Sequence, residues 1–480
     1  MAAKKLFLGR QLAALRQERG LTQAALSQLL GLSASYLNQL ENNQRPMTAN
    51  VLVNLAQAFD IDIASFSQDD SGRIVQDLRE AMADPTFQGS SPAPAELHDI
   101  AMQSPRFAQA FLGLHRAYKQ LQERVQTMAE TLSTGELDRA VDRPIFPYEE
   151  VRDYFHYRNN YVDELDQAAE RLSIEEGFAG RDVSGALEAY LARRYGVAVR
   201  TEEPDSLGGL TRRFDPESKT LSLLSTLNAP SCAFLMAHQI ALLDFAETLD
   251  ELIERSDLQS AAGKAVCRVA LANYAAGALM LPYDRFLAAA RETLHDVELL
   301  QKRFGASFEQ VCHRLSTLQR PGSPGVPFYF VRVDRAGNIT KRHSATRFQF
   351  ARFGGACPLW NVHEAFTAPG KVFVQVAEMP DGLRYLCIAR GVVKRGGGYL
   401  LPDRHYAIGL GCELSHAGQI VYSRGLNLDA DEAVAPIGVS CRICERVNCS
   451  QRAFPPIDRR LSDATAIGRF VAYQFPKLAQ

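Results

Sequence analysis

A chain of 480 residues, 46% of them hydrophobic, is too long for one domain and apolar enough to build several cores, which excludes a solvated tail. Its net charge of -2 excludes a wholly basic nucleic-acid protein; basicity is local, residues 1–20 setting Lys4, Lys5, Arg10, Arg16 and Arg19 against Glu18 alone. No apolar run is long enough for a bilayer, since Cys232 to Leu243 is broken by His238 and Gln239, and Arg10 interrupts any secretory leader. Nine cysteines, most of them isolated in apolar contexts, fit a reduced, cytoplasmic protein in which a close trio of thiols is a metal site before it is a disulfide set.

The most legible stretch is Leu21 to Arg45, which reads as two short helices about a turn. Thr22 is an N-cap, Ala25, Leu26, Leu29 and Leu30 form a helical apolar stripe, and Gly31 supplies the turn. Ser33 caps a second helix with Tyr36, Leu37 and Leu40 inward and Ser35, Asn38 and Gln39 outward, short enough to lie in a major groove. Leu21-Thr22-Gln23 and Ser33-x-x-Tyr36-Leu37-x-x-Leu40-Glu41 resemble the helix-turn-helix of Cro/CI-type (XRE) regulators over about Leu8 to Phe66. The resemblance implies double-stranded operator DNA as partner, with Gln23 and Arg45 on phosphates and Ser33, Ser35, Asn38 and Gln39 facing bases.

Thr48 caps a further helix to Phe59, and the first domain closes near Phe66. A helix over about 74–83 ends at Pro85, and Gly89 to Pro94 is a loop. From Phe107 the apolar residues Phe111, Leu114, Tyr118, Leu121, Val125, Met128 and Leu132 alternate spacings of four and three. This heptad seam predicts a dimer helix, giving a dimer or tetramer that reads paired half-sites. Pro144 and Pro147 mark a boundary. Helices then lead to a strand at 196–200, a hairpin of 211–214 with 219–224, and a buried helix opened by Ser231. Helices over 263–280 and 283–298 follow.

The segments Cys232 to Asp244 and Leu271 to Tyr283 resemble the ImmA/IrrE-type metallopeptidase domain, whose first helix carries H-E-x-x-H. Here His238 stands alone: Gln239 replaces the general base and Leu242 the second His, and no carboxylate precedes Asn273 as a third ligand. One imidazole holds no catalytic zinc and glutamine takes no proton at neutral pH, so the chain is expected not to be an enzyme. His238 becomes a hydrogen-bonded core residue or the polar handle of a ligand pocket.

Pro321 to Pro327 is a linker, beyond which strands are expected at 328–334, 339–342, 372–379, 384–390, 392–393, 399–401, 405–411 and 419–422. Cys441, Cys444 and Cys449 fall within nine residues, and Cys412, Cys357 or His416 supplies a fourth corner for zinc or, less readily, an iron–sulfur cluster. Arg442 and Arg446 lower the thiol pKa, which also suits a redox role. Gln451-Arg452-Ala-Phe454-Pro-Pro pairs a cation with a flat ring, fit for a nucleotide-like ligand.

Taken with Gly355 to His363, the last motif, Cys441 to Pro456, resembles the short-chain fatty-acyl-CoA-responsive transcriptional regulators over nearly the full length. That likeness implies a propionyl-CoA or acetyl-CoA class effector and control of short-chain acyl metabolism. Arg442, Arg446 and Arg452 then become candidates for the CoA phosphates, Gln451 a neighbouring polar contact, and Trp360 and Phe454 walls for the acyl chain. The expected fold is multidomain, mainly α with α+β. An all-α helix-turn-helix at 1–67 precedes linker helices at 68–142, an α+β ImmA/IrrE-like body at 143–320 and an antiparallel-sheet α+β effector domain at 321–480. The competing functions are an antitoxin-like or stress regulator with residual metallopeptidase activity, and a metal or redox sensor built on Cys441, Cys444 and Cys449.

Overall fold

In a computed structural model, the described residues run from 9 to 455, apart from 43, 60–69, 83, 88–91, 135–146, 157, 179–181, 259, 349, 351–355, 400, 429, 442–443, 445 and 447. They divide into two compact units, one within residues 1–75 and 98–105 and the other within 76–97 and 106–480.

The first unit holds α1 (Gly9–Glu18), α2 (Gln23–Leu29), α3 (Ala34–Glu41) and α4 (Ala49–Phe59). Thr22 Oγ1 accepts from the Ala25 amide at 3.2 Å and Ser33 Oγ from the Tyr36 amide at 3.1 Å, so both predicted caps start their helices. Gly31 turns the chain at φ 65°, a left-handed conformation that costs glycine nothing. Leu12, Leu26, Leu30, Leu37, Leu40, Val51 and Leu55 meet in one small core.

Helices α5 (Asp70–Met82) and α6 (Pro94–Gln103) precede α7 (Pro105–Thr134), which covers the predicted heptad run. Its buried face is Ala108, Leu112 and His115, while Phe107 and Leu114 are 65% and 70% exposed. Leu121, Val125, Met128 and Leu132 lie outside the described side chains.

In the second unit, α8 (Pro147–His156), α9 (Asp163–Glu176) and α10 (Val183–Tyr195) lead to a three-stranded sheet ordered β1-β3-β2. Here β1 (Ala198–Glu202) runs parallel to β3 (Thr220–Leu224), and β2 (Arg212–Asp215) forms the predicted hairpin with β3. The buried helix α11 (Ala229–Asp244) is capped by Asn228 rather than Ser231. Pro230 is pre-set for the first turn, and Asn228 Oδ1 takes the Ser231 amide at 3.1 Å. Helices α12 (Ala246–Glu254) and α13 (Ala261–Met280) pack with it. The single helix expected at 283–298 is two, α14 (Tyr283–Glu292) and α15 (Val297–Phe304), because Leu294 and His295 adopt φ of 50° and 59° and end the first. A capping box of Ser307 and Gln310 then opens α16 (Phe308–Leu315).

The C-terminal part is a six-stranded sheet ordered β5-β4-β8-β7-β6-β9. It comprises β4 (Tyr329–Asp334), β5 (Ile339–Ser344), β6 (Val372–Glu378), β7 (Arg384–Lys394), β8 (Arg404–Glu413) and β9 (Val434–Pro436), antiparallel except for β9 on β6. The strands expected at 384–390 and 392–393 are one, because Val392 and Val393 continue the ladder against Tyr406 and His405. Of the strand expected at 399–401, Leu401 forms only an isolated bridge with Gly398, and 419–422 lies in 3-10 turns, where the chain leaves the sheet.

Side chains alternate across this sheet. Phe330, Leu386, Ile388, Ile408, Leu410 and Cys412 join the helices in one core, and Tyr329, Val331, Tyr385, Cys387 and Ala407 join Trp360 and Phe348 in a second. The fold class is thus multidomain, mainly α with α+β. No single described helix is long and apolar enough to cross a membrane.

Candidate functional site

Outward from α3 stand Ser35 and Asn38, exposed, and Gln39, half-buried. The Asn38 carbonyl and Oδ1 accept from Asn42 Nδ2 at 2.9 and 3.0 Å, and exposed Arg45 lies 5.8 Å over the Tyr36 ring. Ser33 spends an acceptor on its cap. Gln23 Nε2 donates to Glu41 Oε2 at 2.7 Å, and Glu41 also accepts from Arg16 Nε at 2.7 Å. Gln23 therefore ties α2 to α3 in this structure, and α3 is held in place by a buried carboxylate bridging two other helices.

The metallopeptidase-like helix offers no metal site. His238 is 5% exposed, and Arg212 on β2 donates one Nη1 to His238 Nδ1 and to Gln239 Oε1, both at 2.9 Å. A guanidinium only donates, so the His238 proton sits on Nε2. Burial, and then the Arg212 charge, push the imidazole down to about 4, so it is neutral. The residues present do not fit a zinc ion, because a cation already holds the nitrogen and the oxygen that would face it. His238 is thus a buried, hydrogen-bonded residue, and it lines neither of the two cavities described below.

The cysteine expectation also changes. All nine thiols are free. Cys412 points into the core shared with the helices, opposite Leu386, whereas Cys357 and the Ile437–Val439 backbone leading to Cys441 lie with the second core. The sheet stands between them, so Cys412 does not close a site with Cys441 and Cys444. Among the described residues no three His, Cys, Asp or Glu side chains are placed to hold a metal ion, and zinc gains no support.

Arg452 is buried and donates to the carbonyls of Cys441 (2.9 Å), Cys444 (3.2 Å) and Arg446. It holds the cysteine loop together. Arg446 donates to the Ile437 carbonyl at 3.1 Å and the Glu378 carbonyl at 2.7 Å, which pins the same loop to β6. Gln451 and Phe454 are exposed, and Arg442 lies outside the described residues. Trp360 is packed against Phe348, with ring centroids 5.2 Å apart, and Tyr329 at 5.9 Å. Among the described residues, Arg446, Gln451, Arg452, Phe454 and Trp360 line neither of the two cavities described next.

The first cavity, about 540 Å³, lies between α11, α13, α16 and the ends of β7 and β8. Its apolar wall is Phe234, Leu235, Met280, Leu281, Phe308, Val392 and Val393, and its charged rim is Lys341, Lys394, Arg395 and Arg404 with Glu309. Burial pushes the Glu309 carboxyl up, but Lys341, Lys394 and Arg332 outweigh it and hold it at about 2. Lys394 reaches it at 2.8 Å, Arg332 at 2.9 Å and Lys341 at 3.4 Å. Four cations against one carboxylate leave the rim with a net positive charge.

A second cavity of about 540 Å³ adjoins it, and Asn273, His313 and Lys341 line both. Val151, Phe155, Val266, Ala270 and Tyr274 make its apolar side. Asn160 also lines it, 1% exposed, at φ 60°, with neither Oδ1 nor Nδ2 in a hydrogen bond. His313 and His343 meet edge to face at 4.8 Å, both driven below the ordinary imidazole range by burial, His343 to about 4.

These rim and cavity residues escaped the sequence reading, since they come from many elements far apart in the chain. The one local signal was Lys394-Arg395 beside three glycines, with Arg404 across the turn.

Three family models match the chain: a helix-turn-helix over residues 12–66, an IrrE N-terminal-like domain over 192–316, and the C-terminal domain of the short-chain fatty acyl coenzyme A regulators over 317–473. A propionyl-CoA carboxylase regulator of Cereibacter sphaeroides is 50% identical over 96% of both chains. The HTH-type transcriptional regulator PrpR of Mycobacterium tuberculosis is 42% identical over 98% of this chain and 96% of its own. A solved M. tuberculosis transcriptional regulator covers 68% of this chain and 99% of that one at 44% identity and a TM-score of 0.65. With helix-turn-helix, IrrE-like and acyl-CoA regulator parts in this order, and half its residues shared with one such regulator, the chain belongs to the short-chain fatty acyl coenzyme A regulators, a family of helix-turn-helix transcription factors.

Proposed function

We propose that the chain binds operator DNA through α3 and is controlled by a short-chain acyl-CoA of the propionyl-CoA or acetyl-CoA class held at the first cavity. The carrying observation is the charged rim: Lys341, Lys394, Arg395 and Arg404 outnumber Glu309 beside an apolar wall, which matches a ligand with several phosphates and a greasy arm. This moves the phosphate contacts from Arg446 and Arg452, which are occupied with backbone carbonyls, to the β7–β8 turn.

The DNA head lies within residues 1–67, the helical connection within 68–142, the IrrE-like body within 143–320 and the rest of the effector-binding body within 321–480. The IrrE-like body serves as a wall of the ligand site and not as a peptidase, since Arg212 takes the place of a metal. Ser35, Asn38 and Gln39 read bases, Ser33 adds its hydroxyl proton, and Arg45 holds a phosphate; Gln23 does so only by leaving Glu41. The protein works in the cytoplasm as a dimer or tetramer joined along α7, where exposed Phe107 and Leu114 continue the heptad pattern. A monomer mass in light scattering at micromolar concentration refutes that assembly.

The deciding experiment is calorimetry of propionyl-CoA with the full chain, paired with a gel-shift assay on its operator. The expected result is saturable binding that changes DNA affinity, weakened at least about tenfold in the Arg395→Ala/Arg404→Ala double variant. Equal affinity in that variant removes the rim from the site.

A further inference from the structure

We propose that the second cavity receives the pantetheine arm and acyl group of the effector and that Asn160 recognises the amides of that arm. This rests on reading the first cavity as the site of a CoA thioester. The side chain of Asn160 is 1% exposed, yet its donor and its acceptor are both without a partner. Buried amides are nearly always satisfied inside a protein, and one left open at both ends is shaped for something that binds. A trans secondary amide points its N–H and its C=O in opposite directions, so it meets one end of an asparagine, and the two amides of a pantetheine arm together supply a C=O for Nδ2 and an N–H for Oδ1; a carboxylate would satisfy Nδ2 and repel Oδ1.

The backbone supports the same reading. Asn160 sits at φ 60°, a conformation that asparagine tolerates better than other residues with side chains, and Asn159 precedes it at φ 50°. The chain thus keeps a strained turn and an unsatisfied amide together at one cavity wall. Continuity identifies the ligand. Asn273, His313 and Lys341 line both cavities, so an arm leaving the cationic rim of the first enters the second across these three residues. Val151, Phe155, Val266 and Ala270 then face the acyl end and limit its length.

The test is calorimetry on the full chain with propionyl-CoA and with adenosine 3′,5′-bisphosphate, which carries the nucleotide end without the arm. Asn160→Gly removes the amide and keeps the backbone angle. It is expected to weaken propionyl-CoA about tenfold or more, to leave the bisphosphate unchanged, and not to lower the melting temperature without ligand, because no internal hydrogen bond is lost. Ala270→Leu, which fills the second cavity, is expected to give the same split between ligands and decides the matter should Asn160→Gly fail to fold. Equal propionyl-CoA affinity in wild type and both variants overturns the inference and leaves the effector reading standing. Failure of the wild type to bind propionyl-CoA overturns the effector reading itself.

Discussion

Asp166 is fully buried and accepts four hydrogen bonds: from Arg314 Nη1 and Nη2 at 2.6 and 3.1 Å, Arg320 Nη2 at 3.3 Å and the Tyr274 hydroxyl at 2.6 Å. Arg314 is 2% exposed, and Arg320 also reaches Glu170 at 2.6 Å. Asp166→Asn keeps the shape but removes the charge and turns one acceptor oxygen into a donor facing a guanidinium. At least two charge-assisted bonds are lost, each worth about 1.5–3 kcal/mol, and Arg314 is left buried without its counter-charge. The expected destabilisation is about 3–5 kcal/mol, which in a body of this size lowers the melting temperature by roughly 4–7 °C. Calorimetric melts of wild type and variant at pH 7.5 measure it. A loss under about 1 kcal/mol refutes the reasoning, since it means that water already screens the network.

Arg212→Met in a Gln239→Glu/Leu242→His background recreates the peptidase triplet and frees its nitrogen; zinc affinity is expected to rise in this triple variant but not where Arg212 remains, and equal zinc uptake by both counts against Arg212 as the metal's substitute. Arg452→Ala strips three carbonyls of their donor; it is expected to lower stability by about 2–3 kcal/mol and leave propionyl-CoA affinity within twofold, and a tenfold loss of affinity restores Arg452 to the ligand site. His238 and His343 are held neutral with folded values near 4, below the 6.5 of the unfolded chain, so stability is complete above about pH 6.5 and falls as pH drops toward 4. At pH 5.5 each costs about 1.4 kcal/mol, together about 3, and Glu309, held at about 2, adds a further loss only below about pH 4.5. Urea midpoints that coincide at pH 7.5 and 5.5 contradict this.

What the sequence made legible was local. Thr22, Gly31 and Ser33 act within three or four residues of themselves, so caps and turn were readable and the structure has them. The missing Glu and second His around His238 were visible for the same reason. Arg212 was not, because it reaches His238 only through the pairing of β2 with β3 and the packing of α11, 26 residues further on. The carbonyl contacts of Arg452 were hidden for a related reason: an arginine beside an aromatic looks the same in sequence whether it faces a phosphate or three carbonyls. The rim cations share a place only after β5, β7 and β8 form. Asn159-Asn160 signalled a turn, but nothing in it told which cavity the amide would face.

An effector changes DNA affinity only if it binds one arrangement of the chain better than another, so some element must feel both the ligand and the helices leading to the reader. The IrrE-like helices and one face of the C-terminal sheet share a single continuous core, which leaves little room for a hinge between them. Helix α8 is the better candidate. Val151, Arg152 and Phe155 line the second cavity, and Asp153 on the same helix accepts from Arg116 of α7 at 2.6 Å. Both partners are partly buried, so the pair is worth about 1 kcal/mol, enough for roughly a fivefold effect on coupling. Arg116→Gln is therefore expected to leave propionyl-CoA affinity unchanged, measured without DNA, while reducing about fivefold the factor by which propionyl-CoA shifts operator affinity. If that factor is intact in the variant, the signal does not pass through the Asp153–Arg116 contact, and α8 is a wall of the cavity and nothing more.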